Sequence, residues 1–225
     1  MKILAIDTST KFLSVAVYNE GRVSEYNLET ANRLSMLLVP HIKRILEALN
    51  LKPEDINYFA CGLGPGSFTG IRIGLSTIKG FCFALNKPSI GIGTLDVLAM
   101  NARQWPDYKS VIAAVDAKRG MVYYCQYRKK EGRYIKVSPY SLIKKEDFIK
   151  KLNPASIVLG DVLGVYAGEI SRALPCASFP DKDLWFPKAH NMLILALEKI
   201  KGANPKLKSG IEPVYLYPKE CQIKK

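Results

Sequence analysis

Two stretches of this 225-residue chain align without a gap, Ile3-Leu-Ala-Ile-Asp7-Thr-Ser-Thr-Lys-Phe12-Leu-Ser-Val-Ala-Val-Tyr18 against Ile112-Ala-Ala-Val-Asp116-Ala-Lys-Arg-Gly-Met121-Val-Tyr-Tyr-Cys-Gln-Tyr127, at a constant offset of 109. In both, an apolar β-rich run ends in aspartate, a short polar turn follows, and a second run ends in tyrosine. A third run begins at Arg22 in one copy and Arg133 in the other. Chance alignment of two ordinary hairpins is the competing explanation. A true repeat confines the chain to an α/β fold of two related units.

The segments between the repeats fit that plan. Residues 31–50 carry Leu34, Leu37, Leu38, Ile42, Ile45, Leu46 and Leu49 at the helical period, with Pro40 inside and with Met36 and Val39 as extra apolar surface beside the stripe. Residues 56–61 predict a buried strand and residues 71–85 a helix. Its Gly74 and Gly80 each cost about 1 kcal/mol against alanine, which predicts close packing by a neighbour. Another strand is expected at 88–93, and Thr94 caps a helix over 95–101. The second copy continues with a charged helix (144–152), a strand (156–160), a helix (162–173), a Pro-rich piece, a helix (188–201) and a polar tail. These boundaries predict domains at 1–105 and 106–225, the C-terminal segment being a candidate to pack back on the first.

Between the strand and helix of the first unit stands Gly62-Leu63-Gly64-Pro65-Gly66-Ser67-Phe68-Thr69-Gly70. Glycines open backbone conformations closed to other residues, and Ser67 and Thr69 suit the start of a helix, where amides lack partners and the dipole attracts anions. The usual nucleotide motifs nevertheless fail on spacing. No lysine follows a glycine as a P-loop requires, and the Gly-x-Gly from Gly64 continues to Thr69 with Gly70 one place late. A ligand-free, tightly packed turn fits the spacing as well as an anion cradle does.

Composition narrows the function classes. Cys61, Cys82, Cys125, Cys176 and Cys221 are scattered and odd in number, with no Cys-x-x-Cys, so neither a disulfide framework nor a zinc knuckle is indicated. No uncharged apolar stretch reaches the roughly 18 residues of a membrane span, and a cytoplasmic, soluble protein is expected. Net charge is +13, of which +3 lies in residues 1–103 and +10 beyond. That asymmetry makes the second half a candidate for contact with a polyanion.

Four stretches carry a family resemblance: residues 3–9 with 14–17, Gly64-Pro-Gly-Ser-Phe-Thr-Gly-Ile-Arg-Ile-Gly74, Val115-Asp-Ala-Lys-Arg-Gly120 and Pro213-Val-Tyr-Leu216. The duplicated plan resembles the actin, Hsp70 and sugar-kinase (ASKHA) superfamily, with the second domain reduced, and these stretches are similar to the bacterial TsaB (YeaZ) family. The resemblance implies a non-catalytic scaffold for the TsaD (Kae1-type) enzyme that makes N6-threonylcarbamoyladenosine (t6A) at position 37 of tRNA. It implies a heterodimer with TsaD through the first two helices, recruitment of TsaE by that pair, and a homodimer in isolation. Direct tRNA contact is a weaker implication, carried by Lys118, Arg119, Arg128, Lys129, Lys130 and Arg133.

Residue by residue, the resemblance assigns the partner interface to Leu34, Leu37, Leu38, His41, Ile42, Ile71, Gly74, Leu75 and Ile78. It makes Asp7, Thr8, Ser9, Gly64, Gly66, Ser67, Thr69 and Asp116 vestigial phosphate-type turns. It implies no catalytic residue and no metal, the isolated subunit requires no cofactor, and ATP or ADP with Mg belongs to the assembled complex. Departures support this: only His41 and His190 are present, Leu34 stands where many relatives keep a histidine, and Met121 replaces an acidic residue of the second hairpin. The competing function is a small actin-like ATPase or phosphotransferase using Asp7, Thr8 and Asp116 around a metal-bound phosphate. A glycoprotease is disfavoured, because two lone histidines supply neither a His-Glu-x-x-His nor a nucleophile–histidine pair.

Overall fold

The computed structural model describes residues 1–30, 32–105, 107–175, 179–202 and 210–217. Ala31, Pro106, Cys176, Pro218 and Cys221 lie outside the described residues.

In the first unit, β1 (Lys2–Asp7), β2 (Phe12–Asn19) and β3 (Arg22–Glu29) form the expected antiparallel meander, joined to β4 (Tyr58–Gly62) and β5 (Ser89–Ile92) in parallel, in the order β3-β2-β1-β4-β5. Strict alternation divides the strands between two faces. Leu4, Ile6, Val15 and Val17 meet Leu38, Ile42 and Leu46 of α1 (Leu34–Ala48) and Ile71, Leu75 and Ile78 of α2 (Phe68–Leu85). On the other face, Ile3, Ala5, Ala16 and Ile90 meet Met192, Leu193 and Ala196 of α7 (Ala189–Gly202). Each such fully buried aliphatic side chain contributes about 2 kcal/mol of transfer free energy.

The second unit repeats four strands of the first and, lacking a counterpart of β5, takes its fifth strand from elsewhere. Here β6 (Ser110–Asp116), β7 (Met121–Lys130) and β8 (Arg133–Lys136) are antiparallel, and β10 (Ser156–Leu159) joins β6 in parallel. The order β10-β6-β7-β8 reproduces β4-β1-β2-β3. Even the hairpin turns match: Glu20-Gly21 and Glu131-Gly132 both place two successive residues at positive φ, as two-residue turns between right-twisted strands require. Ile112, Ala114, Val122 and Tyr124 pack on Phe148 of α4 (Lys145–Lys150), Val162 of α5 (Val162–Val165) and Ile170 of α6 (Ala167–Ala173). The described residues also form α3 (Thr94–Ala99), three short 3-10 helices and β9 (Ser141–Lys144), the last pairing with β7.

Three expectations are revised. The chain divides into the described residues of Met1–Val97 with those of Pro187–Val214, and those of Leu98–Phe186 with those from Tyr215 onward. The boundary therefore falls before residue 105, and α7 belongs to the first unit. The helix over 162–173 is two short helices, and β9 was not anticipated. Finally, the gapless repeat is one residue out at its first strand. The residues facing the connecting helices are Leu4 and Ile6 in β1 but Ile112 and Ala114 in β6, an offset of 108 (Ile6 to Ala114). In the second strands the offset is 109 (Val15 to Tyr124), and both pairs are cross-strand partners. The second turn is thus longer by one residue, and Asp7 and Asp116 project from opposite faces of their sheets.

The start of α7 is held by charge. Ser14 Oγ accepts a hydrogen bond from the Ala189 amide (2.7 Å), while Glu25 accepts from the His190 amide (3.0 Å) and contacts His190 Nδ1 (2.8 Å). Burial alone pushes the Glu25 carboxyl up, but the His190 hydrogen bonds and charge outweigh it and leave the carboxyl below its usual value. A depressed carboxyl stabilises the fold above its unfolded value, 4.5 for this group, and loses that contribution as pH falls through the folded one. Glu25→Gln is expected to cost about 1–2 kcal/mol near neutrality, and the gap from wild type should close as pH drops below 4.5. Thermal unfolding across a pH series measures it; a gap that persisted undiminished into acid would contradict the pairing.

Candidate functional site

The glycine stretch lies against the β1–β2 turn, and the two fill each other. Asp7 is buried at the end of β1: Oδ1 accepts from the Ser9 amide (2.9 Å) and Ser9 Oγ (2.6 Å), and Oδ2 from Thr94 Oγ1 (3.4 Å). Thr8 Oγ1 donates to the Gly70 carbonyl (2.8 Å), and the Ser67 amide to the Ser9 carbonyl (2.7 Å). Ser67 caps α2, its Oγ accepting from the Gly70 amide (3.2 Å). A Cβ at Gly62 would collide with the Asp7 carboxylate, at Gly66 with the Ser9 carbonyl, at Gly70 with the Thr8 carbonyl and at Gly74 with the Thr8 hydroxyl. Gly64 is required differently, by its φ of +90°, and its carbonyl receives the Thr94 amide (2.8 Å).

A phosphate cradle needs several amides aimed at open space. Here the amides of Ser9, Ser67 and Gly70 are spent on protein oxygens. Burial raises the Asp7 carboxyl against the pull of its hydrogen bonds from Ser9 and Thr94. The site residues Asp7, Thr8, Ser9, Gly64, Gly66 and Ser67 do come together, with Thr69 exposed on the first turn of α2, and much of their hydrogen-bonding capacity is taken up by one another.

Asp116 belongs to the second unit. Its side chain, 4% exposed, accepts from the Lys118 amide (3.0 Å), Lys118 Nζ (2.7 Å) and the Tyr166 hydroxyl (3.3 Å), while its amide donates to Asp161 Oδ1 (2.8 Å). Burial, reinforced by the Asp116 charge and opposed by the Asp116 amide and Lys118, pushes Asp161 up to about 6. Ala117 is capped from the C-terminal side, its carbonyl receiving the Tyr217 hydroxyl (2.9 Å). Among the described residues no group of three or more His, Cys, Asp or Glu side chains is gathered as a metal site would need.

The expected interface residues need correction. Leu34, Leu38, His41, Ile42, Ile71, Gly74, Leu75 and Ile78 are buried within the first unit, and only Leu37 is half-buried. His41 Nδ1 contacts the Leu37 carbonyl (2.7 Å) and its ring lies 5.1 Å from that of Tyr26. The apolar stripe that makes a helix amphipathic is the stripe the sheet consumes. What remains outside is Met36 (72% exposed) and Val39 on α1, with Phe68 and Phe83 (92%) on α2. Ser76, Gly80 and Ala84 form an exposed ridge on α2 at four-residue spacing, and a Cβ at Gly80 would meet nothing within 4 Å. The two helix glycines therefore differ: Gly74 serves the chain's own hairpin, and Gly80 serves nothing inside it. Among the described residues α2 alone is long and apolar enough by length and composition to cross a membrane, but it carries Arg72 and Lys79, so it is not the uncharged apolar stretch that a span requires, and it lies along β4.

Duplicated meanders with parallel additions and helical crossovers define an α/β protein of the ASKHA fold, the second domain reduced. The family model for TsaD, tRNA N6-adenosine threonylcarbamoyltransferase, matches residues 28–175. The tRNA threonylcarbamoyladenosine biosynthesis protein TsaB of Escherichia coli (strain K12) is 31% identical over 96% of this chain and 94% of its own length. The TsaB of Buchnera aphidicola subsp. Schizaphis graminum is 34% identical, covering 85% and 90%. The solved structure of YeaZ from Pseudomonas aeruginosa superposes with a TM-score of 0.80 at 28% identity, over 96% of this chain and 99% of that one. This chain belongs to the TsaB (YeaZ) family, whose curated members are named for tRNA threonylcarbamoyladenosine biosynthesis.

Proposed function

We infer that this protein is a non-catalytic subunit of t6A biosynthesis, serving modification of adenosine 37 of tRNA as a scaffold that binds TsaD and supports recruitment of TsaE. The observation that carries this reading is the outer face of α1 and α2. Large apolar side chains stand in solvent there beside a ridge of serine, glycine and alanine that lets another backbone approach closely. Without TsaD the same face pairs with a second copy of the chain. The absence of a catalytic role is supported by the self-filled first turn, and in this reading ATP or ADP and Mg belong to the assembled complex rather than to this subunit. The ATPase alternative draws no support from Asp7 and Asp116, which project from opposite faces of their sheets. A cytoplasmic location is part of this reading.

The test mixes the purified chain with TsaD in size-exclusion chromatography, with thermal unfolding of the chain alone with and without Mg·ATP. Co-elution with an unchanged unfolding midpoint is expected, since a ligand stabilises only a state it binds. Separate elution would refute the scaffold, and an ATP-dependent rise in midpoint would refute the empty turn.

A further inference from the structure

We propose that the open end of the second sheet, built by Arg128 and Lys130 of β7 and Arg133 of β8, is a docking surface for an RNA phosphate backbone. The proposal rests on the reading that this chain serves tRNA modification. β7 is ten residues long, and its helix-covered face changes character along its length. Val122 and Tyr124 are buried under α4, α5 and α6, Gln126 is half-buried, and Arg128 and Lys130 are exposed on the same face, since side chains alternate.

Register places Arg128 opposite Ile135 and Lys130 opposite Arg133. Like charges directly opposite one another are unfavourable by a few tenths to about 1 kcal/mol, and the pair closes a turn whose only other charge is Glu131. At the covered end, Lys151 Nζ stands 5.9 Å from the centroid of the Tyr124 ring. One cation, Lys151, thus stands at the covered end and Arg128, Lys130 and Arg133 at the open end, with neutral Gln126 between them on a strand whose alternate side chains are about 7 Å apart.

Charges on an edge strand can serve only to prevent unwanted sheet pairing. That role does not account for Arg128, because β7 is paired there on both sides, with Ser110 of β6 and Ile135 of β8. From Gln126 to Val137 the sequence holds five cations, Arg128, Lys129, Lys130, Arg133 and Lys136, against the single carboxylate of Glu131. A linear array of arginine and lysine is the arrangement that replaces counterions along a polyphosphate.

The probe is an unmodified tRNA transcript, titrated by fluorescence anisotropy from low to moderate salt against the chain alone and mixed with TsaD. The triple variant Arg128→Gln, Lys130→Gln and Arg133→Gln is compared with its glutamate counterpart, with circular dichroism confirming the fold. Affinity is expected to fall about tenfold or more for glutamine and further for glutamate, with the salt slope less steep by about 2–3. Co-elution with TsaD should stay intact. Unchanged affinity and slope, or no tRNA binding by either wild-type form, would overturn the proposal. Binding that needs these residues in a chain that does not associate with TsaD would support the surface and refute the scaffold reading.

Discussion

Gly70→Ala is expected to lower the unfolding midpoint sharply, while the same substitution at Gly80, in the same helix, leaves it unchanged or raises it. At Gly70 the added methyl drives into the carbonyl of Thr8, a backbone atom held between β1 and β2, while the residue's own carbonyl is tied to the Thr8 hydroxyl. Neither partner can step aside without opening the Asp7–Ser9 network. Overpacking costs about 1–3 kcal/mol and occasionally more, and a collision with backbone belongs at the upper end, which for a chain of this size corresponds to roughly 6–12 °C. At Gly80 the methyl enters open space, and helix propensity favours alanine by about 1 kcal/mol. Differential scanning calorimetry of the two variants decides the matter, and equal shifts would mean that the turn and loop are not packed as described.

Gly80→Arg is expected to leave the fold intact and abolish association with TsaD. The side chain has room in the free subunit, so the unfolding midpoint should move little. In a complex it would stand in the middle of the Ser76-Gly80-Ala84 ridge and hold two helices apart, burying a charge without a partner. A loss of affinity of about a hundredfold or more is the expected scale for such a clash at an interface centre. Isothermal titration with TsaD measures it. Undiminished binding by a folded Gly80→Arg variant would move the interface away from α2. Leu38→Glu is a poor substitute, because Leu38 is core and its loss would unfold the unit that is to be tested.

The fold was largely legible because its signals are local. The apolar β-rich runs at residues 3–7 and 12–18 and the helical period over 34–46 are each imposed by the element they form. The four residues of β9, Ser-Leu-Ile-Lys, show neither alternation nor a continuous apolar run, and they follow directly on Pro139-Tyr140. Chain order likewise says nothing about which sheet a late helix covers, so α7 was placed with its neighbours in sequence. At the candidate site the failure was of a different kind. Helical periodicity identifies the side of α1 and α2 that needs covering, and the chain's own sheet covers it. The outward-facing residues Met36 and Val39 were visible only as a surplus. Gly74 and Gly80 are indistinguishable in sequence, because what separates them is a hydroxyl sixty-six residues away from the first, on Thr8.

The capping of α7 by β2 spans 175 residues, from Ser14 to Ala189. Strands β1 and β2 are synthesised well before α7, and one face of them, with Ile3, Ala5 and Ala16, stays uncovered until α7 has been made. All of the second sheet, ending at Leu159, is translated before that helix. The nascent chain therefore completes its later sheet while β1 and β2 still expose an apolar face. Such a face is vulnerable to aggregation for as long as it waits, so slow passage through the intervening codons would penalise the first unit more than the second.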